Sequence, residues 1–483
     1  MKTKNLLQKT ALMLALMLGY FSANANNVSI TGTSVAGSNV TFNISWDNSW
    51  NTNLAPNNWD AVWVFVKYQD CATRLWAHAG LSTLAGDHTA ASPLQVDPVT
   101  DGKGVFIRRS ALGGGNISST SITLKMTIPA GTYNYKVFGI EMVNVPQGAF
   151  DLGDGLSTST FNSINITAAS QSGGLTAAAI GGAAVAVPAT FPMGYNAIYC
   201  MKYEITQEQY VEFLNALTYD QQKSRTLNDP ISAAGTYALA AGFAYRNGIR
   251  ISVPGNNSAL PAVYACDATS GVENNANDGQ NIACNNINWG DVAAYLDWSA
   301  LRPMTDMEFE KICRGPVGRV AGEYPWGSTA IVPVYSSTTT SPLTATESYS
   351  PTANGLCVHA VGSTSTVYGP VRVGIFASGS SGRASAGATY YGVMEMGGNV
   401  WERIVTTGNA TGVTFTGNNG DGTLDVIGEP NQTTWPSSTT ATGSGFRGGD
   451  YYSAATVVRT SDRSSSATTN ATRVYSYGGR GVR

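Results

Sequence analysis

Apolar and polar residues alternate along residues 27–135 in a way that predicts a series of β-strands. The clearest runs are "AVWVFVKY" (61–68), "GVFIRRS" (104–110), "SITLKMTI" (121–128) and "GTYNYKVFGI" (131–140), with turn-forming residues between them. Short strands at this spacing, without a helical period, are typical of an antiparallel β-sandwich of the immunoglobulin or fibronectin type. We therefore predict a β-sandwich domain over residues 26–136.

Helical periodicity appears only after this region. Three segments carry it: "TQEQYVEFLNAL" (206–217), "NWGDVAAYLDW" (288–298) and "TDMEFEKICRG" (305–315). In the first and third, Thr followed three residues later by Gln or Glu can form a capping box. Long stretches rich in Ser, Thr and Gly separate the helices. The pattern predicts an α+β fold, in which a loop-rich domain over residues 137–483 follows the sandwich.

The first 25 residues have the pattern of a secretory signal peptide. Lys2, Lys4 and Lys9 precede the apolar run "ALMLALMLGYF", and "ANA" (23–25) is a small-residue cleavage site. The apolar run is short for a membrane span, and no later segment is long and apolar enough to be one. We expect an exported protein that is periplasmic, cell-surface or extracellular and has no transmembrane segment.

The charge of the chain limits the classes of partner it can bind, and its cysteines indicate which disulfides it could form. The formal net charge is −3 and only 12% of residues are charged, which argues against a nucleic-acid partner because such proteins present a basic face. Six cysteines in an exported chain permit disulfides. Cys266 and Cys284 flank one loop and are predicted as a pair, with free buried thiols as the alternative. The spacing of the other four favours no pairing.

Four tryptophans are concentrated near the start of the predicted sandwich: Trp46, Trp50, Trp59 and Trp63. They are predicted to lie mostly in the core, with a carbohydrate-binding platform as the alternative.

An ordered series of motifs carries a family resemblance. The motifs are "EMVNVPQGAFDLGDG" (141–155), "YEITQEQYVEFLNAL" (203–217), "NWGDVAAYLDWSALRPMTDMEFEKICRG" (288–315), "EYPWG" (323–327), "GVMEMGGNVWE" (392–402), "FRGGDYYS" (446–453) and "GGRGVR" (478–483). Residues 137–483 thereby resemble the formylglycine-generating enzymes, or sulfatase-modifying factors. The resemblance implies a variant of the C-type lectin fold, with little regular structure.

The resemblance also implies a chemistry that this chain lacks the residues for. In the family's enzymes, two cysteines after the Arg-Gly-Gly element hold Cu(I), for which soft thiolates are suited. Here that element continues as "RGGDYYSAATVVRTSDR" (447–463) without a cysteine, and the last cysteine is Cys357. A related branch uses three histidines for iron, whereas the three here are scattered. No catalytic residue is predicted and copper is not expected. The alternative is a copper oxidase acting on sulfatase cysteines through an unmatched pair such as Cys313 and Cys357.

The resemblance implies a structural calcium ion in the segment 392–402. By motif position, the ligands are the side chains of Glu395 and Glu402 and the carbonyls of Gly398 and Val400. Calcium prefers several hard oxygens in a flexible loop, and glycines allow carbonyls to turn inward. Glu395 stands where the family usually has Asp or Asn. A metal-free turn is the alternative.

A ligand-binding face is predicted near the C-terminus, where the copper site would be. Its candidate residues are Tyr451, Tyr452, Ser453, Asp462, Arg463, Tyr475 and Tyr477. Rigid tyrosines among small polar residues resemble antibody-type binding surfaces. An ion pair among Arg459, Asp462 and Arg463 that supports a sheet is one alternative. An ordinary polar edge without a ligand is the alternative for the whole segment.

These residue types also resemble the diversified segments of retroelement variable proteins, which share this lectin-type fold. We therefore predict a non-catalytic ligand-binding or structural surface protein, with diversification near the C-terminus as one variant of that hypothesis. Its partner would be a protein or glycan, or further copies of itself in an assembly.

Overall fold

A computed structural model describes residues 27–483, apart from 156–158, 170, 172, 258–259, 270, 335–338, 351–352 and 363–366. The predicted signal peptide lies outside these residues. Within the described part, no helix is long and apolar enough to cross a membrane.

The N-terminal region consists of two antiparallel sheets packed face to face. The first contains β1 (Ser29–Ala36), β2 (Asn39–Asn51), β5 (Gly80–Leu81), β6 (Thr89–Ala90) and β9 (Gly113–Thr127), in the order β1-β2-β9-β5 with β6 also on β9. The second contains β3 (Asp60–Asp70), β4 (Trp76–His78), β7 (Leu94–Pro98), β8 (Val105–Arg109), β10 (Tyr133–Val145) and β13 (Ile198–Met201), in the order β13-β10-β3-β8-β7 with β4 on β3. The predicted strands and their antiparallel pairing are confirmed.

Strand β3 is buried on both faces, which explains its nearly continuous apolar sequence. Val62, Val64 and Val66 face the interior of the sandwich, where they pack with residues of β2 and β9. Trp63 and Phe65, on the opposite face, pack against the C-terminal part of the chain. Successive side chains of a strand point to opposite faces, so one segment serves two hydrophobic cores.

Strand β10 continues this second sheet into the C-terminal region. It pairs with β3 from Tyr133 to Val143 and with β13 from Met142 to Val145. The domain boundary predicted after residue 136 therefore falls within a strand. A small number of regular elements follow it, joined by long loops.

The helices beyond β10 are short: α1 (Ala177–Ile180), α2 (Gln207–Leu214), α3 (Tyr219–Arg225), α4 (Trp289–Trp298) and α5 (Asp306–Arg314). The remaining strands form two-stranded pairs: β11 (Phe150–Leu152) with β12 (Ile164–Ile166), β14 (Ile249–Val253) with β15 (Val263–Cys266), β16 (Val332–Pro333) with β19 (Leu356–Cys357), β17 (Thr339–Thr340) with β18 (Ser348–Tyr349), and β20 (Glu402–Val405) with β21 (Ser444–Arg447). Among the described residues, 3₁₀ turns cover Ala85–Asp87 and Gly412–Thr414. The predicted α+β class is confirmed.

The starts of the predicted helices are also as expected. Thr206 caps α2 and Thr305 caps α5, each in a reciprocal box with the residue three positions on. Gly315 ends α5 with a positive φ of 65°, a conformation that costs glycine little. The sequence signals for these helix ends were sufficient because they act within a single turn.

The predicted disulfide between Cys266 and Cys284 is wrong. All six cysteines are free, and only Cys71 is exposed. Cys266 and Cys284 lie with apolar side chains in the large core shared by α2, α4 and the sandwich, where a free cysteine packs as a small hydrophobic residue.

The four tryptophans of the sandwich are either fully buried in a hydrophobic core or half-buried and hydrogen-bonded. Trp46 and Trp63 are fully buried, and Trp63 Nε1 donates to the Ser299 carbonyl (2.9 Å). Trp50 and Trp59 are half-buried and donate to Asn58 Oδ1 (3.1 Å) and the Tyr199 hydroxyl (2.8 Å). The predicted core position therefore holds for Trp46 and Trp63, whereas Trp50 and Trp59 remain partly accessible.

Candidate ligand-binding face

Five tyrosine rings from four separate loops form one contiguous cluster. Tyr245 stacks on Tyr475 with ring centroids 4.2 Å apart, and Tyr452 lies 6.4 Å from Tyr475. Tyr368 contacts both Tyr245 and Tyr451 at 5.4 Å. We call the four that reach the surface, Tyr245, Tyr368, Tyr452 and Tyr475, the tyrosine face.

A buried asparagine holds two of these loops together. Asn285, which is fully buried, donates from Nδ2 to the backbone carbonyls of Tyr245 (2.9 Å) and Tyr475 (2.7 Å). Its Oδ1 accepts from Asn247 Nδ2 (3.1 Å). Because one side chain fixes both backbones, the stacked pair is positioned without help from a ligand.

Tyr451 does not reach the surface as predicted. It is completely buried, and its backbone N–H donates to the Asn399 carbonyl (2.9 Å). Its ring supports Tyr368 from below, whereas Tyr452 is 50% exposed. Consecutive residues alternate between the core and solvent here, so only one of the two adjacent tyrosines can contact a ligand.

Asp462, Arg463 and Tyr477 make their contacts elsewhere. Arg463 is buried, donates to Asp306 Oδ2 (2.8 Å) and lies over the ring of Phe161. Asp462 accepts from the backbone and hydroxyl of Ser464 in a local turn.

The ring of Tyr477 packs 4.4 Å from that of Phe446. Of the seven predicted ligand-binding residues, Tyr452 and Tyr475 belong to the tyrosine face, and Ser453 directly follows Tyr452 in the chain.

Two hydroxyl groups of this face, those of Tyr368 and Tyr475, are held in the neutral form by burial. Burial, followed by the neighbouring Tyr452, raises the pKa of Tyr475 to about 12, and burial raises the pKa of Tyr368. Asp450, below them, holds the loop by accepting from the Ser453 hydroxyl (2.6 Å) and the Tyr452 N–H (3.1 Å). The result is a surface of flat rings with polar tips, supported by a rigid loop.

The predicted calcium loop contains two buried carboxylates in different environments. Glu402 Oε1 accepts from Arg480 Nε (2.5 Å), while its Oε2 has no hydrogen-bond partner among the described residues. Both oxygens of Glu395 are buried, and neither accepts a hydrogen bond of ordinary geometry there. A third carboxylate, Glu204, accepts from Val400 N (3.1 Å) and Asn399 Nδ2 (2.5 Å).

Burial is the main influence on the acidity of these groups. It raises the pKa of Glu395 to about 7, against opposing effects of the Gly374 amide, Arg480 and Arg372. Burial also raises the pKa of Glu402, with Arg480 opposing it. Unpartnered buried oxygens of this kind suit a hard cation such as calcium, which supplies the missing charge.

The backbone of the same loop requires small residues. Gly398 has a φ of +82°, and a Cβ there would lie 2.4 Å from the Val358 carbonyl and 2.8 Å from Cys357 Sγ. Among the described residues, no group of three or more His, Cys, Asp or Glu side chains is placed to hold a metal ion. The predicted calcium ligands comprise two side chains and two carbonyls, so they are not a group of that kind.

Cys313 and Cys357 lie in separate hydrophobic clusters. Cys313 packs with Phe309 and Ile312, and Cys357 packs with Tyr324, Trp326 and Val458. Burial raises the pKa of both thiols. A copper site needs thiolates, and these surroundings favour the protonated form.

Sequence reasoning missed Tyr245, Tyr368 and Asn285. Tyr245 and Asn285 lie 40 residues apart in the chain, and no local pattern distinguishes them from other polar loop residues. They could be identified only by knowing which loops meet.

Comparison with known proteins agrees with the motif series. A family model for the sulfatase-modifying factor enzyme 1-like domain matches residues 135–483, which includes the tyrosine face and the loop at 392–402. No curated protein matches the chain by sequence. The matched region covers more than half of the 483 residues and begins within strand β10. On this basis, the chain belongs to the sulfatase-modifying factor (formylglycine-generating enzyme) family.

Proposed function

We propose that this chain is an exported, non-catalytic ligand-binding protein that uses the tyrosine face as its contact surface. The observation that supports this most directly is the convergence of Tyr245, Tyr368, Tyr452 and Tyr475 from separate loops. Two of these rings, Tyr452 and Tyr475, lie in the segment after Arg447-Gly-Gly, where the family's enzymes carry cysteines and this chain has none.

A protein or glycan is the class of ligand that this surface fits. Tyrosine combines a large apolar ring with a hydroxyl that can donate or accept, and it loses little conformational entropy on binding. The face carries no exposed charge of its own, so shape and hydrogen bonding would govern selectivity. Assembly with further copies of the chain would use the same chemistry.

The non-catalytic part of the proposal rests on the thiols. Cys200, Cys266, Cys284, Cys313 and Cys357 are buried, and burial raises the pKa of each. A catalytic Cu(I) pair would need two accessible sulfurs that ionise readily. We further propose that calcium at Glu395 and Glu402 has a structural role, since both side chains are enclosed by the fold.

Binding through the tyrosine face is tested with two single variants, Tyr452→Ala and Tyr475→Ala, in a protein and glycan array screen. Each should weaken binding of any identified ligand at least tenfold, because each removes an accessible ring. Tyr133→Ala is the matched control, since Tyr133 belongs to another tyrosine cluster, on the sandwich. Unchanged binding by both face variants would exclude this surface.

The enzymatic alternative is tested with Cu(I) and a cysteine-containing sulfatase peptide. We expect no stoichiometric Cu(I) binding and no aldehyde product. Aldehyde formation that depends on Cys313 or Cys357 would overturn the non-catalytic proposal.

Diversification of the C-terminal segment is an additional proposal about the gene. It predicts a reverse transcriptase gene and a near-copy of the coding sequence for residues 450–477 in neighbouring DNA. Without both, the segment is of fixed sequence, and the tyrosine face would serve one ligand only.

A further inference from the structure

A cleft of about 430 Å³ lies between the sandwich and the C-terminal region, apart from the tyrosine face. Trp50 and Pro56 line it from the sandwich side. Arg383, Tyr390 and Tyr391 line it from the opposite side. Its volume is within the range of small-molecule sites, which commonly form where two structural units meet.

The aromatic walls of the cleft are fixed by the fold. Trp50 Nε1 donates to Asn58 Oδ1 (3.1 Å), and Asn58 Nδ2 donates to the Tyr391 carbonyl (2.9 Å) across the interface. Gly392 has a φ of +95°, and a Cβ there would lie 3.1 Å from the Trp50 ring. The rings of Tyr390 and Tyr391 are nearly perpendicular, with centroids 5.0 Å apart. The cleft is therefore preformed.

The two cations that line the cleft differ in how their charge is balanced. Lys202 is buried and pairs with Glu141 (2.9 Å) and, at 4.0 Å, with Asp60. Arg383 donates from Nη2 to the carbonyls of Pro325 (2.9 Å) and Cys313 (3.2 Å).

No described carboxylate lies within salt-bridge distance of Arg383, and its buried Nε has no hydrogen-bond partner in the described part of the chain. Arg383 therefore has no ion-pair partner at the edge of an apolar, aromatic cleft, and the carboxylate of Glu323 offsets its charge only from beyond salt-bridge distance. A neutral ligand would leave donors of this guanidinium unsatisfied, which is costly away from water.

We propose that this cleft binds a small aromatic carboxylate, with its ring against Trp50 and Tyr390 and its carboxylate paired with Arg383. One guanidinium matches one carboxylate in charge and in donor geometry. A phosphate monoester carries more charge than this single cation balances. The cleft shares no residue with the tyrosine face, so a negative result at one site leaves the proposal for the other unaffected.

Isothermal titration of the full chain with 2-naphthoate and its neutral analogue 2-naphthamide tests the proposal. Naphthoate should bind at least tenfold more tightly than naphthamide. Arg383→Gln should abolish this preference by weakening naphthoate alone, and Trp50→Ala should weaken both ligands. No saturable naphthoate binding, or equal affinities for the two ligands, would overturn it.

Two further variants separate loss of charge from loss of fold. Arg383→Lys retains the charge and should retain part of the preference for naphthoate. Arg108→Gln is the matched control, because Arg108 lies over the ring of Trp59 as Arg383 lies over that of Tyr390, but pairs with Asp97 (2.6 Å) outside the cleft. If Arg108→Gln and Arg383→Gln weaken naphthoate binding equally, a specific role for Arg383 is contradicted.

Discussion

Some buried glutamates of this protein form an ion pair with a buried arginine, and others do not. Glu402 has the guanidinium of Arg480, and Glu310 has both Arg314 and Arg447 at 3.1 Å. Neither oxygen of Glu395 accepts a hydrogen bond of ordinary geometry from the described residues, and burial raises its pKa to about 7. A buried carboxyl group in this state is either protonated or neutralised by a bound cation.

Glu395 should therefore make stability depend on pH in the absence of metal. Its pKa is about 7 in the folded protein and near 4.5 when exposed. The folded state thus holds a proton that the unfolded chain releases, so the free energy of unfolding should fall as pH rises from about 4.5 to 7 and then level off. The loss is on the order of 3 kcal/mol. Urea denaturation in EGTA across this range measures it.

Calcium should reverse that loss above pH 7, where Glu395 is ionised, and Glu395→Gln should remove the calcium effect and the part of the pH effect that Glu395 contributes. Glu212→Gln, at an exposed residue that pairs with Lys136, is the control and should preserve both. A wild-type protein that calcium does not stabilise at pH 8 would contradict a calcium site here.

At the scale of elements, helix α5 depends on contacts at its first turn. Thr305 Oγ1 accepts from Glu308 N (3.1 Å) and donates to the Pro192 carbonyl (2.9 Å). Glu308 in turn accepts from the Thr305 N–H (2.9 Å) and pairs with Arg302 through both oxygens. This cap fixes the start of a helix that also carries Glu310 and Arg314 into the core.

Thr305→Ala should destabilise the protein by about 1–2 kcal/mol, because it removes the cap and leaves the Pro192 carbonyl without its donor. Thr305→Ser retains the hydroxyl and should cost less than half as much. The shift in the midpoint of urea denaturation measures both. If Thr305→Ser and Thr305→Ala destabilise the protein equally, the stability depends on the methyl group of Thr305 and not on its hydroxyl cap.

At the scale of the whole molecule, the sandwich and the C-terminal region share a sheet and a hydrophobic core. Strand β10 crosses the predicted boundary, and Trp63, Phe65 and Phe138 pack in the same core as Trp298 of α4. Lys67 Nζ also donates to the Trp298 and Gly422 carbonyls at 2.7 and 2.6 Å. Such an interface favours a single cooperative unit over two independent ones.

We therefore expect residues 27–483 to unfold in one calorimetric transition, and the isolated polypeptide 27–136 to aggregate without a cooperative transition. That fragment ends inside β10 and exposes the aromatic face of β3. Trp63→Ser with Phe65→Ser should make the fragment more soluble while destabilising the longer chain. A fragment that unfolds cooperatively, with near-ultraviolet circular dichroism of its own, would contradict this expectation.

Sequence patterns were reliable where the relevant interactions are local. The strands, the capped helices and the family motifs were predictable because alternation, capping and turn residues act within a few positions. The binding face was predictable only in part. Of the tyrosines predicted for it, Tyr452 and Tyr475 reach the surface, Tyr451 is buried on the other side of its loop, and a role of this face in binding stays a prediction.

The sequence by itself determined the α+β class, the family and the absence of cysteines after Arg447-Gly-Gly. Tertiary structure alone decided that β10 joins the two regions, that Asn285 brings Tyr245 against Tyr475, and that Cys266 and Cys284 remain free. It also decided that Arg383 faces an aromatic cleft without a carboxylate. These features depend on which distant segments meet, and burial and charge compensation arise only once the chain has folded.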